Sequence, residues 1–175
     1  MVTEADLWRH VKEDASFRIL VWGPGEGSPF YHVRLAIREA LRGVFARVEF
    51  SEDIVTPSTG RSNWLDSLAI QERLQALGAN LVYLLASSPG AKLELILFWK
   101  YANIGPKLHV LTAEDLDDGS FLGRVTSDIV SRMPRHHVHS FPTITAPALA
   151  DFCVDHARQW YVGTHPEGPP NLGIP

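Results

Sequence analysis

Glu94 is the residue of this sequence whose surroundings most strongly suggest chemistry. It is the one charged residue in the segment 93–99, which reads L-E-L-I-L-F-W. A carboxylate in such an apolar stretch is costly unless it is paired or functional. Ser88 and Pro89 form a good helix start, but Glu94 lies too far into that helix to cap its first turn. We therefore predict that Glu94 is a catalytic carboxylate, with a buried structural acid as the alternative.

Two polar loops could bring ligand-binding groups towards Glu94. The first reads G-P-G-E-G at positions 23–27, and its glycines would let the backbone approach a phosphate or a ribose. It is not a Walker A loop, because no Gly-Lys-Ser/Thr ends it, and it does not match G-x-G-x-x-G, because its third glycine comes one residue early. A tight turn without a ligand therefore remains an alternative. The second begins Ser51-Glu52-Asp53, whose acidic groups could bind ribose hydroxyls or cap the following segment.

The histidine-rich segment 135–139 invites a metal interpretation. His137 and His139 would share one face if this segment is a strand. The sequence offers no cysteine or acidic ligand at a typical spacing, so we expect solvated histidines on an edge strand and no metal. The single cysteine, Cys153, lies in a helical pattern and suits a small core residue.

The elements that must position these residues alternate between apolar strands and helices. Strands are predicted at 17–22, 44–50, 81–86, 107–111 and 137–141, and helices at 4–13, 31–42, 64–77, 91–103, 118–133 and 147–161. This alternation predicts an α/β domain with a five-stranded parallel sheet of flavodoxin-like order 2-1-3-4-5 and helices on both faces. Residues 1–163 would form this single domain, and 164–175 an extended or frayed tail.

That strand order predicts where a ligand binds. In open parallel sheets the ligand crevice lies beyond the carboxyl ends of the strands, at the point where the strand order reverses. Here that point falls between the first and third strands. We expect the crevice to be lined by Gly23, Ser51, Asp53, Ser88 and Glu94.

Composition and charge argue against two classes of protein, those that bind nucleic acids and those that span a membrane. The 175 residues carry a formal net charge of −4, and the basic residues are scattered, which argues against nucleic-acid binding. The longest apolar run is far too short for a membrane span, and the amino-terminal segment is amphipathic rather than a signal peptide. We expect a cytoplasmic protein with no membrane partner.

The order of motifs resembles the nucleoside 2-deoxyribosyltransferase-like family, with its relatives the deoxynucleotide N-hydrolases and the bacterial TIR-like domains. The resemblance covers about residues 17–125 and rests on R-I-L-V-W-G-P-G, on F-S-E-D, and above all on N-L-V-Y-L-L-A-S-S-P-G-A-K-L-E-L. It implies an N-glycosidase in which Glu94 attacks or stabilises the sugar C1. It further implies that Ser88 and Gly90 contact a sugar or phosphate, and that Trp22, Gly23 and Pro24 approach the base or sugar.

The resemblance leaves the substrate open among nucleosides, nucleotides and NAD, the last as a substrate, with no cofactor required. It implies a homo-oligomer, because the transferases complete their sites with residues from a neighbouring subunit. Two rival interpretations remain: a non-catalytic TIR-like module that senses a nucleotide or mediates assembly, and an NAD-dependent oxidoreductase, which the defective glycine pattern disfavours.

Overall fold

The computed structural model describes residues 3–53, 64–116 and 118–165. Most of the polar loop predicted at 51–62, and nearly all of the predicted tail 164–175, lie outside the described residues. Within the described part, strands and helices alternate along the chain as the sequence predicts.

A five-stranded parallel sheet forms the centre of the molecule, in the predicted order β2-β1-β3-β4-β5. Every neighbouring pair of strands is parallel. The strands are β1 (Arg18–Trp22), β2 (Arg47–Glu49), β3 (Leu81–Leu85), β4 (Leu108–Ala113) and β5 (Val138–Phe141). The flavodoxin-like architecture predicted from the sequence is confirmed.

Within the described residues, six α-helices cover the two faces of this sheet. They are α1 (Glu4–Glu13), α2 (Tyr31–Arg42), α3 (Trp64–Leu77), α4 (Pro89–Phe98), α5 (Phe121–Arg132) and α6 (Ala146–Thr164). None of the described helices combines the length and the apolarity that crossing a bilayer requires.

The sheet divides the core in two, because successive side chains of a strand point to opposite faces. Tyr83 packs with residues of α2 and α6 on one face, whereas its neighbours Val82 and Leu84 pack with α4 and α5 on the other. All five residues of β3 are buried, as expected for a strand covered on both sides. Cys153 is buried in the core on the same face of the sheet as Tyr83, as predicted.

Local signals fix several helix starts. The Thr3 hydroxyl accepts a hydrogen bond from the amide of Asp6, and the Asp6 carboxylate accepts one from the Thr3 amide, so the two residues form a capping box. Ser88 caps α4 with Pro89 in its first turn, as predicted. α4 ends at Phe98, five residues before the predicted boundary at 103.

The predicted strand 137–141 is wrong at its first residue. Arg135–His137 form a 3₁₀ turn, in which the His137 amide donates to the Pro134 carbonyl at 2.9 Å, and β5 starts at Val138. His137 is buried rather than solvated, and its Nδ1 lies 3.1 Å from the Leu108 carbonyl oxygen. The expected pairing of His137 with His139 on one strand face therefore does not occur.

Candidate functional site

Arg34 occupies the carboxyl-terminal edge of the sheet, where the loops after β1 and β2 meet α2. Its side chain is 1% exposed. Nε and Nη2 donate to the carbonyl of Val21 at 3.0 and 2.9 Å, and Nη1 donates to the carbonyl of Pro24 at 3.3 Å. The guanidinium also lies 4.0 Å from the ring centroid of Phe50. Arg34 thus fixes the start of the predicted ligand loop by its backbone.

Glu52 brings the loop after β2 to the same place. Its two carboxylate oxygens accept hydrogen bonds from Arg34, from Nη1 at 2.5 Å and from Nη2 at 2.7 Å. Burial alone would raise the pKa of Glu52, but the hydrogen bonds and charge of Arg34 outweigh it and lower the pKa. Ser51, which is buried, donates its hydroxyl to Glu52 Oε2 at 3.0 Å. Arg34 therefore holds Glu52, and Glu52 in turn accepts a hydrogen bond from Ser51.

Glu94 reaches this site from the second turn of α4. Its Oε2 is buried and has no hydrogen-bond partner among the described residues. Burial raises the pKa of Glu94 well above its ordinary value; the charges of Glu72 and Glu52 raise it further, and that of Arg34 opposes them. A buried carboxylate oxygen without a protein partner is the exception in folded proteins and is often found in functional groups.

Glu72, on α3, is a member of this cluster that the sequence analysis missed. It is buried, and burial together with the charge of Glu52 raises its pKa to about 7, against the opposing effect of Arg34. Because the charge of Glu72 acts on Glu94, the two carboxyl groups titrate as a coupled pair. Arg34, Glu52, Glu72 and Glu94 are called the Arg34 cluster below.

The packing beside Arg34 requires a glycine at position 23. Its φ is +149°, and a Cβ at this position would lie 3.1 Å from the Leu85 Cβ and 3.5 Å from the Arg34 Cδ. No larger residue fits between β3 and the arginine without a displacement. The first glycine of G-P-G-E-G thus serves a close approach of backbone, whereas Gly25 has open space around it.

The other predicted ligand residues have structural contacts of their own. Asp53 accepts hydrogen bonds from the Phe50 amide at 3.1 Å and from Arg38 at 3.0 Å, so it caps its loop. Trp22 is fully buried and packs on Phe98, with ring centroids 5.2 Å apart. The described contacts do not join these two residues to the Arg34 cluster.

The turn after β3 carries the predicted ligand residues Ser88 and Gly90. Ser88 accepts a hydrogen bond from the Ala91 amide at 3.3 Å as the helix cap, and a Cβ at Gly90 would meet nothing within 4 Å. Ser87 is the more informative serine, because its buried Oγ has no hydrogen-bond partner among the described residues.

A cavity of about 250 Å³ opens at the carboxyl ends of β3 and β4. Ser87 lines it together with Lys92, whose ammonium donates to Asp118 Oδ2 at 2.7 Å. That hydrogen bond is the largest of the effects that lower the pKa of Asp118. A hydroxyl and an ammonium on this edge of the sheet are donors suited to sugar hydroxyls or phosphate oxygens.

Parts of these sites could be read from helical spacing. Arg34 falls on the stripe of buried residues formed by Val33, Ile37 and Leu41, so a cation on the core side of α2 was a visible signal. Glu72 offered a weaker signal, one turn before the buried Ala76.

Comparison with known proteins adds no assignment: no family model and no curated protein matches this chain.

Proposed function

We propose that this protein is an N-glycosidase that cleaves the base–sugar bond of a nucleoside, a nucleotide or NAD, with Glu94 as the catalytic carboxylate. The observation that carries the proposal is the buried Glu94 Oε2, which has no partner among the described residues and lies at the sheet edge where open α/β sheets bind ligands. The resemblance to nucleoside 2-deoxyribosyltransferases supports the same residue.

The Arg34 cluster supplies the two groups that such a cleavage needs. Breaking an N-glycosidic bond develops positive charge at C1 and negative charge on the departing base. In the proposed step the Glu94 carboxylate forms a bond to C1 while the C1–N bond breaks. The electron pair of the broken C1–N bond leaves with the base nitrogen, which takes the proton held by Glu72. Water then hydrolyses the glycosyl ester and returns a proton to the pair.

Arg34 makes this division of roles feasible. Its charge opposes the raised pKa values of Glu72 and Glu94 and so favours the ionised form that Glu94 needs as the nucleophile. A pKa of about 7 for Glu72 suits an acid that works near neutral pH. Glu52, which stays ionised against Arg34, is available to accept hydrogen bonds from ribose hydroxyls in the proposed complex.

The experiment is a substrate panel read by chromatography of released base. The purified protein is incubated with NAD, nucleosides, 2′-deoxynucleosides and their monophosphates. We expect release of free base from one of these classes, and loss of that release in Glu94→Gln but not in Glu13→Gln, an exposed carboxylate of α1. Base release that survives intact in a folded Glu94→Gln protein would end the proposal.

A non-catalytic module that senses a nucleotide or mediates assembly is the second candidate. The observation that favours it is the exposure of large apolar side chains on α3 and α4: Ile70, Leu74, Leu93 and Leu97. Under this candidate the panel gives ligand binding without base release. Both candidates include self-association through this face, because exposed apolar patches mark interaction surfaces.

A further inference from the structure

Three histidines from different elements converge on the face of the sheet that α6 covers. His109 follows the first residue of β4, His139 follows the first residue of β5, and His156 lies on α6. His139 is paired in register with Leu111, two residues after His109, so both histidines point to the same face. The cluster therefore lies near the amino ends of the strands, at the edge opposite to the Arg34 cluster.

The spacing of the three rings is that of ligands around one ion. One ring nitrogen from each histidine lies within 4.8 Å of the other two. His109 Nδ1 and His139 Nε2 are 3.1 Å apart, close to the roughly 3.3 Å between two nitrogens bound to one tetrahedral zinc ion. The ring centroids of His109 and His156 are 4.3 Å apart.

Tyr83 prepares the His156 ring for such a role. Its hydroxyl lies 3.1 Å from the Cys153 carbonyl and 2.7 Å from His156 Nδ1. A carbonyl can only accept, so both contacts are satisfied together when Tyr83 donates to Cys153 and accepts from His156 Nδ1–H. That tautomer leaves the lone pair on His156 Nε2. An outer hydrogen bond of this kind orients most metal-binding histidines.

His109 carries a separate sign of a missing partner. Its Nδ1, 3.1 Å from His139 Nε2, faces another imidazole instead of a carbonyl or carboxylate. Buried polar atoms are nearly always satisfied in folded proteins. Two neutral imidazoles facing each other also leave a ligand lone pair on at least one of them.

We propose that His109, His139 and His156 bind one divalent first-row transition-metal ion, of the kind that zinc represents, with Tyr83 as a positioning residue. Imidazole nitrogens suit zinc, copper, nickel and iron rather than magnesium or calcium. Three protein ligands leave a coordination position free, as in catalytic zinc sites. A cavity of about 560 Å³, lined also by Gln159 and Trp160, adjoins the three rings and gives a small molecule access to that position. The proposal departs from the sequence-based expectation of no metal.

The test uses the full chain and metal salts alone. Protein stripped with a chelator is titrated with Co²⁺ and followed by its visible absorption, and with Zn²⁺ by calorimetry. We expect one ion per chain and the strong visible bands of a four-coordinate cobalt site. His139→Gln and His156→Gln should each weaken binding at least about 100-fold, and His32→Gln, an exposed histidine of α2, should leave it unchanged.

Tyr83→Phe separates metal binding from mere packing. It keeps the ring and removes the hydroxyl that holds His156, so we expect an affinity loss of about 10- to 100-fold with the same stoichiometry. Circular dichroism verifies that each variant is folded; if one is not, the other two single variants carry the test. A folded wild-type chain that binds no Co²⁺, or equal affinity in all folded histidine variants, would overturn the proposal.

Discussion

Arg34 and Glu52 form a two-point ion pair that joins α2 to the loop after β2, with N–O distances of 2.5 and 2.7 Å. The arginine is buried, whereas the side chain of its partner is 50% exposed. The glutamate can therefore turn to water if the pair is broken, but the arginine cannot. The stabilising role of the pair thus lies with the arginine and with the two backbone carbonyls that it binds.

Arg34→Lys tests this asymmetry. A lysine keeps the charge but cannot reach the carbonyls of Val21 and Pro24 and both oxygens of Glu52 together. We expect the free energy of unfolding to fall by about 2–3 kcal/mol, because buried acceptors lose their donors. Arg132→Lys, which alters an exposed pair with Asp128 on α5, should change it by less than about 0.5 kcal/mol. Urea unfolding measures both, and equal effects would contradict this account.

Glu72→Gln should change how stability depends on pH. The pKa of Glu72 is about 7 in the folded protein and 4.5 in its ordinary state. Between these values the folded protein binds more protons than the unfolded chain, so wild-type stability falls as pH rises from about 4.5 to 7. The glutamine side chain does not titrate, so the variant does not lose stability in this way as pH rises. We expect it to be more stable by about 2 kcal/mol at pH 8 and nearly equal to wild type at pH 4.5.

Denaturant unfolding at a series of pH values checks the Glu72 prediction. Glu13→Gln, on the exposed side of α1, serves as the control and should keep the wild-type slope. A wild-type slope in Glu72→Gln would show that this carboxyl ionises normally in the folded state, and would remove it as the proposed proton donor.

Gly23→Ala should destabilise the protein where Gly25→Ala does not. Alanine at position 23 must adopt a φ of +149° and place its Cβ 3.3 Å from the Leu85 carbonyl oxygen and closer still to its Cβ. We expect a loss of about 1–3 kcal/mol. A Cβ at Gly25 would meet no atom within 4 Å, and the φ of Gly25 is not positive, so the same change there should be neutral or slightly stabilising. Thermal melts of the two variants provide the comparison, and equal losses would contradict the close approach at Gly23.

Leu97→Asp should weaken self-association. Leu97 is 51% exposed on α4, near the exposed Leu93, and a carboxylate there would have to be desolvated in an interface. Val162→Asp on α6 is the matched control, since Val162 is 49% exposed but lies on the opposite face of the sheet. Light scattering over a range of concentrations should show a dimer for wild type and for Val162→Asp, and a monomer for Leu97→Asp. A wild-type protein that stays monomeric at high concentration would refute the assembly.

The fold was predictable because strong local signals agreed with one another. The apolar runs of β1 and β3, the capping box of Thr3 and the Ser88–Pro89 helix start each act over a few residues, so they can be recognised without tertiary information. Boundaries failed where a short turn competes with regular structure. At Arg135–His137 a 3₁₀ turn replaces the first residue of the predicted strand.

The candidate sites were harder to predict because their members come from distant parts of the chain. Glu94 was visible as a charge in an apolar helix, but Glu72 became notable only when its charge was found to act on Glu94. Asp53 is predicted as a ribose ligand and caps its own loop in the structure, and a carboxylate after a strand suits either role. The partner of His139 proved to be His109, 30 residues away in sequence, which no spacing rule of a single strand can reveal.

The placement of the three histidines also bears on the order in which the protein matures. Chains leave the ribosome amino terminus first, so the elements that carry Arg34, Glu52, Glu72 and Glu94 emerge before β5 and α6. The histidine cluster is completed last, when α6 brings His156 to the sheet. An ion bound there would join α6 to strands already formed, and a nascent chain halted before α6 would lack one ligand. Metal loading would then report that α6 has been synthesised and has reached the sheet.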